Sequence, residues 1–242
     1  MESGRPCSGK AIRGEGQAIG KMASTNLTTL ILERTRPVWN DVIEHRFFNE
    51  VATDTIDSEY FVRYLAVEYS FIDTAAIALG HAIAKAPSFK ERQKLSHGLY
   101  SLVTDQETFF QNAFRAFDVP ESSRTFRNAL ANSLHQLFLQ TASQCSYAEI
   151  LATIFGAEWL YLQWCSNANR TPSARTVIRE WVALHSGGSF EEHVKWVRSQ
   201  LDSIGSALND VEISRLQHLF ENTLNAESAF HDAVYQSAGI ED

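Results

Sequence analysis

From Leu27 onward the chain repeats one pattern: apolar residues recur every three or four positions, and nowhere do they keep up an alternation with polar ones. That spacing aligns side chains on one side of an α-helix, whereas a half-buried strand needs a period of two. An all-α fold follows. The expected segments run from Asn26 to Phe47 with a restart at Pro37, from Ser58 to Lys85, and from Pro87 to Phe117. A fourth spans Ser122 to Ser143, and a fifth opens at Ser146, where Ser146 and Glu149 form a capping-box pair, and reaches Asn167. Thr171-Pro172 reads as cap plus first-turn proline of a sixth, closed by Gly187-Gly188. The last two cover Ser189 to Leu208 and Val211 to Ser237. No Pro/Ser/Gly-rich linker and no internal repeat separates them, so the expectation is a single helical bundle of seven to eight helices over residues 27–242.

Residues 1–26 stand apart. Five of the 12 glycines lie there, with Arg5, Lys10, Arg13 and Lys21, and no apolar run of the secretory kind. A disordered tail is expected, with Met22 as an alternative start.

Composition narrows the function. A net charge of −8 over 242 residues, with no basic stripe, argues against nucleic acid as a partner. No apolar stretch is long enough to span a bilayer, so no membrane partner is expected. The three cysteines, Cys7, Cys145 and Cys165, are too few and too scattered for a disulfide framework, which favours a reducing, cytoplasmic setting.

The informative residues are acids on apolar stripes. Glu68 sits among Phe61, Tyr64, Leu65, Phe71, Ile72 and Ala75. Glu158 sits among Leu151, Ile154, Phe155, Tyr161 and Leu162, and Glu227 among Phe220, Leu224, Phe230 and Val234. Burying a carboxylate costs several kcal/mol unless it is paired or protonated. Three such acids on three helices suggest one internal cavity. Its chemistry is metal ligation or acid–base work on a polar ligand. A ferritin-like metal site needs Glu-x-x-His, and the i+3 residues here are Phe71, Tyr161 and Phe230. An organic ligand needs flat apolar walls, for which Tyr69, Phe71, Phe155, Trp159 and Tyr161 are candidates.

At these residues the chain resembles the TenA / thiaminase II family. Phe61-Val-Arg-Tyr-Leu-Ala-Val-Glu68-Tyr-Ser-Phe71 is similar to the family's second-helix motif, Ala148 to Tyr161 to its central-helix motif, and Glu227-Ser-Ala-Phe230 to the acidic motif of its last helix. The likeness runs from about Val38 to Tyr235. It implies a haem-oxygenase-like bundle, a homo-oligomer (dimer or tetramer), and hydrolysis of aminopyrimidine breakdown products of thiamine in thiamine salvage, with no cofactor and no metal. The family's nucleophilic Cys corresponds to Ala157, and Cys165 lies ~12 Å further along the helix. Glu158 follows at the next position, which resembles the Glu-type branch that acts on amino- and formylaminomethyl-pyrimidines.

The resemblance implies catalytic roles for Glu158 (activating water or attacking), Glu227 (protonating the ring) and Tyr161 (donating to the leaving nitrogen or positioning the water). It implies substrate binding by Glu68 and Phe71. Glu68 replaces the usual Asp, and Val67 replaces the usual Gln before it. His185 falls where the Cys branch has a Tyr and joins the substrate-binding set without an assigned role. Three alternatives compete. One is a di-iron oxidase of the same fold using Glu68, Glu158, His185, Glu227 and His231. The second is a non-catalytic binding or regulatory protein. The third is a plain bundle, in which the three acids lie far apart.

Overall fold

The computed structural model describes residues 26–124 and 128–236. The expected N-terminal tail therefore lies, Asn26 excepted, outside the described residues, as do Cys7 and Met22. Among the described residues every regular element is helical. In chain order these are α1 (Leu27–Arg34), α2 (Arg36–Ile43), α3 (Arg46–Ala52), α4 (Ser58–Lys85), α5 (Phe89–Ser101), α6 (Glu107–Ala116), α7 (Ala129–Gln144), α8 (Tyr147–Ala168), α9 (Thr176–Leu184), α10 (Gly188–Gly205) and α11 (Asp210–Asp232).

Five of the longer helices, α4, α5, α7, α8 and α11, start where the sequence supplies a side-chain cap. Asp57 accepts from the Glu59 N–H, Ser88 from Lys90, and Asn128 from Leu130. Ser146 and Glu149 form the expected capping box on α8, and Asn209 with Glu212 forms another on α11. Each satisfies backbone donors that the first helical turn leaves without partners.

Four boundaries depart from expectation. The first segment is three short helices. Pro37 lacks an N–H and restarts the chain as α2, and His45 then caps α3 by accepting from the Phe47 N–H. This second break turns Phe47 and Phe48, both fully buried, into the core. The third segment contains a π-helical turn at Leu102–Gln106 between α5 and α6. Pro120 leads into a 3-10 turn at Glu121–Ser123, and α7 begins only at Ala129, capped by Asn128. Thr171-Pro172 does not open α9. Asp54 instead accepts from the Ser173 hydroxyl, the Ala174 N–H and the Arg175 guanidinium, which ties that stretch to the turn before α4.

α11 packs against α7 and α8, α4 against α5 and α7, and α10 against α5 and α8. The α8–α11 crossing depends on Gly156. A Cβ there would meet the Thr223 Cβ at 2.9 Å, so only glycine lets the two helices approach this closely. That approach brings the acid-bearing faces of α8 and α11 toward α4. No described helix is long and apolar enough to cross a membrane.

Candidate active site

α4, α8 and α11 line a cavity of about 440 Å³, whose other walls come from α5, the π-turn, α7, His185 at the end of α9, and α10. Glu68, Phe71, Glu158, Tyr161, His185 and Glu227 all line it. The six residues singled out in the sequence thus meet at one place, and the three acids are not scattered. The other candidate walls do not contribute. Tyr69 packs on Phe110 and Phe114. Phe155 is buried against Phe220, and Trp159 lies under the Arg198 guanidinium.

The inner end of the cavity is built around two carboxyls, each with a histidine ring nitrogen within 4 Å, 3.7 Å for Glu68 and His185 and 3.8 Å for Glu227 and His231. Glu68 is 7% exposed and Glu227 is 1% exposed. Burial drives the Glu68 carboxyl up to about 7, opposed by hydrogen bonds from Tyr64 and Trp181. The Trp181 Nε1–H donates to Glu68 Oε2 at 2.9 Å, which fixes that oxygen. Glu227 is pushed up to about 8, first by burial and then by the nearby charge of Glu68. Among the described residues its Oε2 is buried without a hydrogen-bond partner.

Two histidines complete this end, and both are held neutral. The His185 Nδ1–H donates to the Trp181 carbonyl at 2.9 Å, leaving Nε2 bare and 3.7 Å from Glu68 Oε1. Burial lowers this imidazole to about 4, despite that hydrogen bond. The His231 Nδ1–H donates to the Glu227 carbonyl at 2.7 Å, and burial brings the ring down to about 3. Its Nε2 lies 3.4 Å from the Tyr161 hydroxyl, which in turn is 3.2 Å from the Tyr64 hydroxyl. A neutral imidazole with Nδ1–H can only accept at Nε2. Tyr161 therefore donates to His231 and keeps oxygen lone pairs free to accept. Of the two roles expected of it, donating to the leaving nitrogen or positioning the water, the proton needed for the first is already engaged.

Phe71 stands in an aromatic corner made by His135, Phe138 and Phe230. Glu158 occupies the outer end, with its side chain 22% exposed, and lies 3.4 Å from His193 Nε2. The sequence reading missed His193, although it shares an apolar face of α10 with Phe190, Val194 and Val197. The test applied to the three acids, a polar group on an apolar stripe, would have found it. Tyr64 and Trp181, which shape Glu68, gave no comparable signal, because aromatic residues on a stripe look like core. The oxidase alternative needs a clustered ligand set. Among the described residues no three His, Cys, Asp or Glu side chains are grouped to hold a metal ion.

Known proteins share both the sequence and the shape. An aminopyrimidine aminohydrolase from Helicobacter pylori is 24% identical over 213 residues, 86% of this chain and 97% of that protein. A TenA homologue from Pyrococcus furiosus superposes with a TM-score of 0.80 at 22% identity, covering 86% of this chain and all of that one. A TenA family transcription regulator from Silicibacter sp. TM1040 superposes with a TM-score of 0.79 at 18% identity, covering 87% and 97%. The expected haem-oxygenase-like bundle is the fold these structures share. Residues 32–237, which supply every wall of the cavity, match the TENA/THI-4/PQQC family, and the chain belongs to that family.

Proposed function

We propose that the protein is a thiamine-related hydrolase that converts an aminomethyl- or formylaminomethyl-pyrimidine into the hydroxymethylpyrimidine without a cofactor. For the simplest substrate, R–CH2–NH2 and water give R–CH2–OH and ammonia. The observation that carries this reading is the pair of buried carboxyls raised to about 7 and about 8 that face the cavity, with a third, more exposed carboxyl at its other end. The similarity to an aminopyrimidine aminohydrolase supports the same substrate class.

An aminomethyl group on an electron-rich ring leaves poorly, and protonating a ring nitrogen makes the ring electron-poor. Glu227, pushed up to about 8, carries a proton at neutral pH and is the general acid at the ring. Glu68 orients the base. Trp181 holds one of its oxygens, and the other accepts from the exocyclic amine. Phe71 flanks the ring, and the bare His185 Nε2 beside Glu68 Oε1 is a further acceptor for a ring donor. Glu158 takes a proton from the attacking water at the methylene carbon, and the lone pairs of Tyr161 hold that water or the leaving amine.

The test is incubation of metal-free protein with 4-amino-5-aminomethyl-2-methylpyrimidine, following alcohol and ammonia by mass spectrometry. Turnover by the wild type and its loss by ~100-fold or more in Glu158→Gln is the expected result, the scale of a missing general base. Wild-type activity in that variant would defeat the assignment.

A further inference from the structure

We infer that His193 is the positioning residue of Glu158: its imidazole holds one carboxyl oxygen and leaves the other for the water. This rests on the role given to Glu158 above.

Three observations carry it. Glu158 Oε2 and His193 Nε2 are 3.4 Å apart, an ion-pair distance, and among the described residues each is buried without any hydrogen-bond partner. Two buried polar atoms that share only each other are expensive unless they act as a pair. The exposure of the Glu158 side chain therefore lies away from Oε2, on the part that faces the cavity. The second observation is the space made for the ring. Gly98 on α5 lies directly under it, and a Cβ there would meet His193 Cε1 at 2.5 Å and Nδ1 at 2.6 Å. Any other residue at position 98 would displace the imidazole. The third is that His193 is 9% exposed, sits one turn from Trp196 on α10, and lines the cavity with Glu158.

The charges around it fit this role. Burial alone lowers this imidazole, but the charge and contact of Glu158 outweigh burial and raise it. From the neighbouring elements the other titratable groups lining the cavity are Lys94, His97 and Tyr100 from α5, Asp105 from the π-turn and Glu192 from α10. None of them makes a hydrogen bond to His193 Nε2. A protonated ring is a donor at Nε2, so Oε2 accepts and stays put. The proton removed from water is then taken by the free oxygen and passed to the departing amine, which leaves as ammonia. His193 keeps its proton throughout.

The experiment is an NMR titration of histidine-labelled protein, wild type against Glu158→Gln, the His193 signal being the one absent from His193→Ala. In the wild type His193 is expected to titrate above 6.5, and in Glu158→Gln below it, because burial then acts alone. An unchanged titration would overturn the pairing, with no need for a known substrate. Kinetics supply the second reading. His193→Ala is expected to lower kcat about 10- to 100-fold, the factor carried by one hydrogen bond to a charged group, with KM moving less than about twofold. Full kcat in His193→Ala beside an inactive Glu158→Gln would sink the inference and leave Glu158 as base. An active Glu158→Gln would remove the base assignment itself, while the titration still reports the contact.

Discussion

The two ends of the cavity use the same residue type in opposite surroundings. At the inner end Glu68 and Glu227 are buried among Tyr64, Trp181 and Phe230, beside two histidines that burial holds neutral. Their carboxyls hold protons into the neutral range. At the outer end Glu158 is partly exposed and faces a histidine whose proton is held more tightly than usual. The proposed reaction, which protonates a ring while deprotonating water, asks for carboxyls in unlike environments within one pocket. The histidines differ in the same way. The inner pair spend Nδ1–H on backbone carbonyls and serve as acceptors, whereas His193 directs its Nε2 at a carboxylate.

The largest effect should come from removing the inner acid. Glu227→Gln is isosteric and keeps a hydrogen-bonding group, but it cannot give up a proton. Its kcat is expected to fall by ~10²–10⁴, the usual span for a general acid. In the wild type, kcat/KM should form a narrow bell between about 7 and about 8, since Glu68 must be ionised to accept from the amine and Glu227 must still be protonated. A flat profile from pH 6 to 9 would mean that the two ends do not divide the labour as described.

The same asymmetry should appear in folding stability. Glu68 and Glu227 have folded values above the ordinary carboxyl value, so the folded state binds more protons than the unfolded one between 4.5 and about 8. Their contribution is complete below 4.5 and is lost as pH rises to about 8. His185 and His231 have folded values below 6.5, so theirs is complete above 6.5 and is lost as pH falls toward 4 and 3. Between 4.5 and 6.5 the two pairs oppose each other, and above 6.5 only the carboxyls act. Urea melts should therefore show stability falling from pH 6.5 to 8. Glu227→Gln should reduce that fall and exceed the wild type at pH 9, by about 5 kcal/mol at the upper limit, at ~1.4 kcal/mol per unit of raised carboxyl value. Parallel wild-type and variant curves would show that the inner acid is not the group carrying the burial cost.

Much of this arrangement was legible in the sequence because helical periodicity places residues on faces without any knowledge of tertiary contacts. Glu68, Glu158 and Glu227 were visible as charges on apolar stripes, and Ser146 with Glu149 as a helix start. What stayed hidden depends on long-range contacts. Thr171-Pro172 carries a good local start signal, yet Asp54, over a hundred residues away, pulls the following residues out of the helix. The break at His45 could not be read because a histidine cap is an uncommon local signal. The polarity of the Tyr161 hydroxyl is set by a tautomer of His231, which is itself set by a backbone carbonyl. Periodicity says which face a group occupies but not which partner takes its proton.

The smallest expected effect is also the most selective for the outer end. Gly98→Ala adds one methyl group 2.5 Å from His193 Cε1, and the ring must shift relative to Glu158 to accommodate it. The inner carboxyls lie on other helices, so the bell between about 7 and about 8 should keep its position while kcat falls several-fold, less than the whole hydrogen bond is worth. In a His193→Ala background the hollow is empty and the methyl group has nothing to displace. Gly98→Ala should then change kcat by less than about twofold, so the two substitutions are strongly non-additive. Equal losses in both backgrounds would mean that the methyl group acts through α5 itself, and the glycine would then have no part in holding the Glu158–His193 pair.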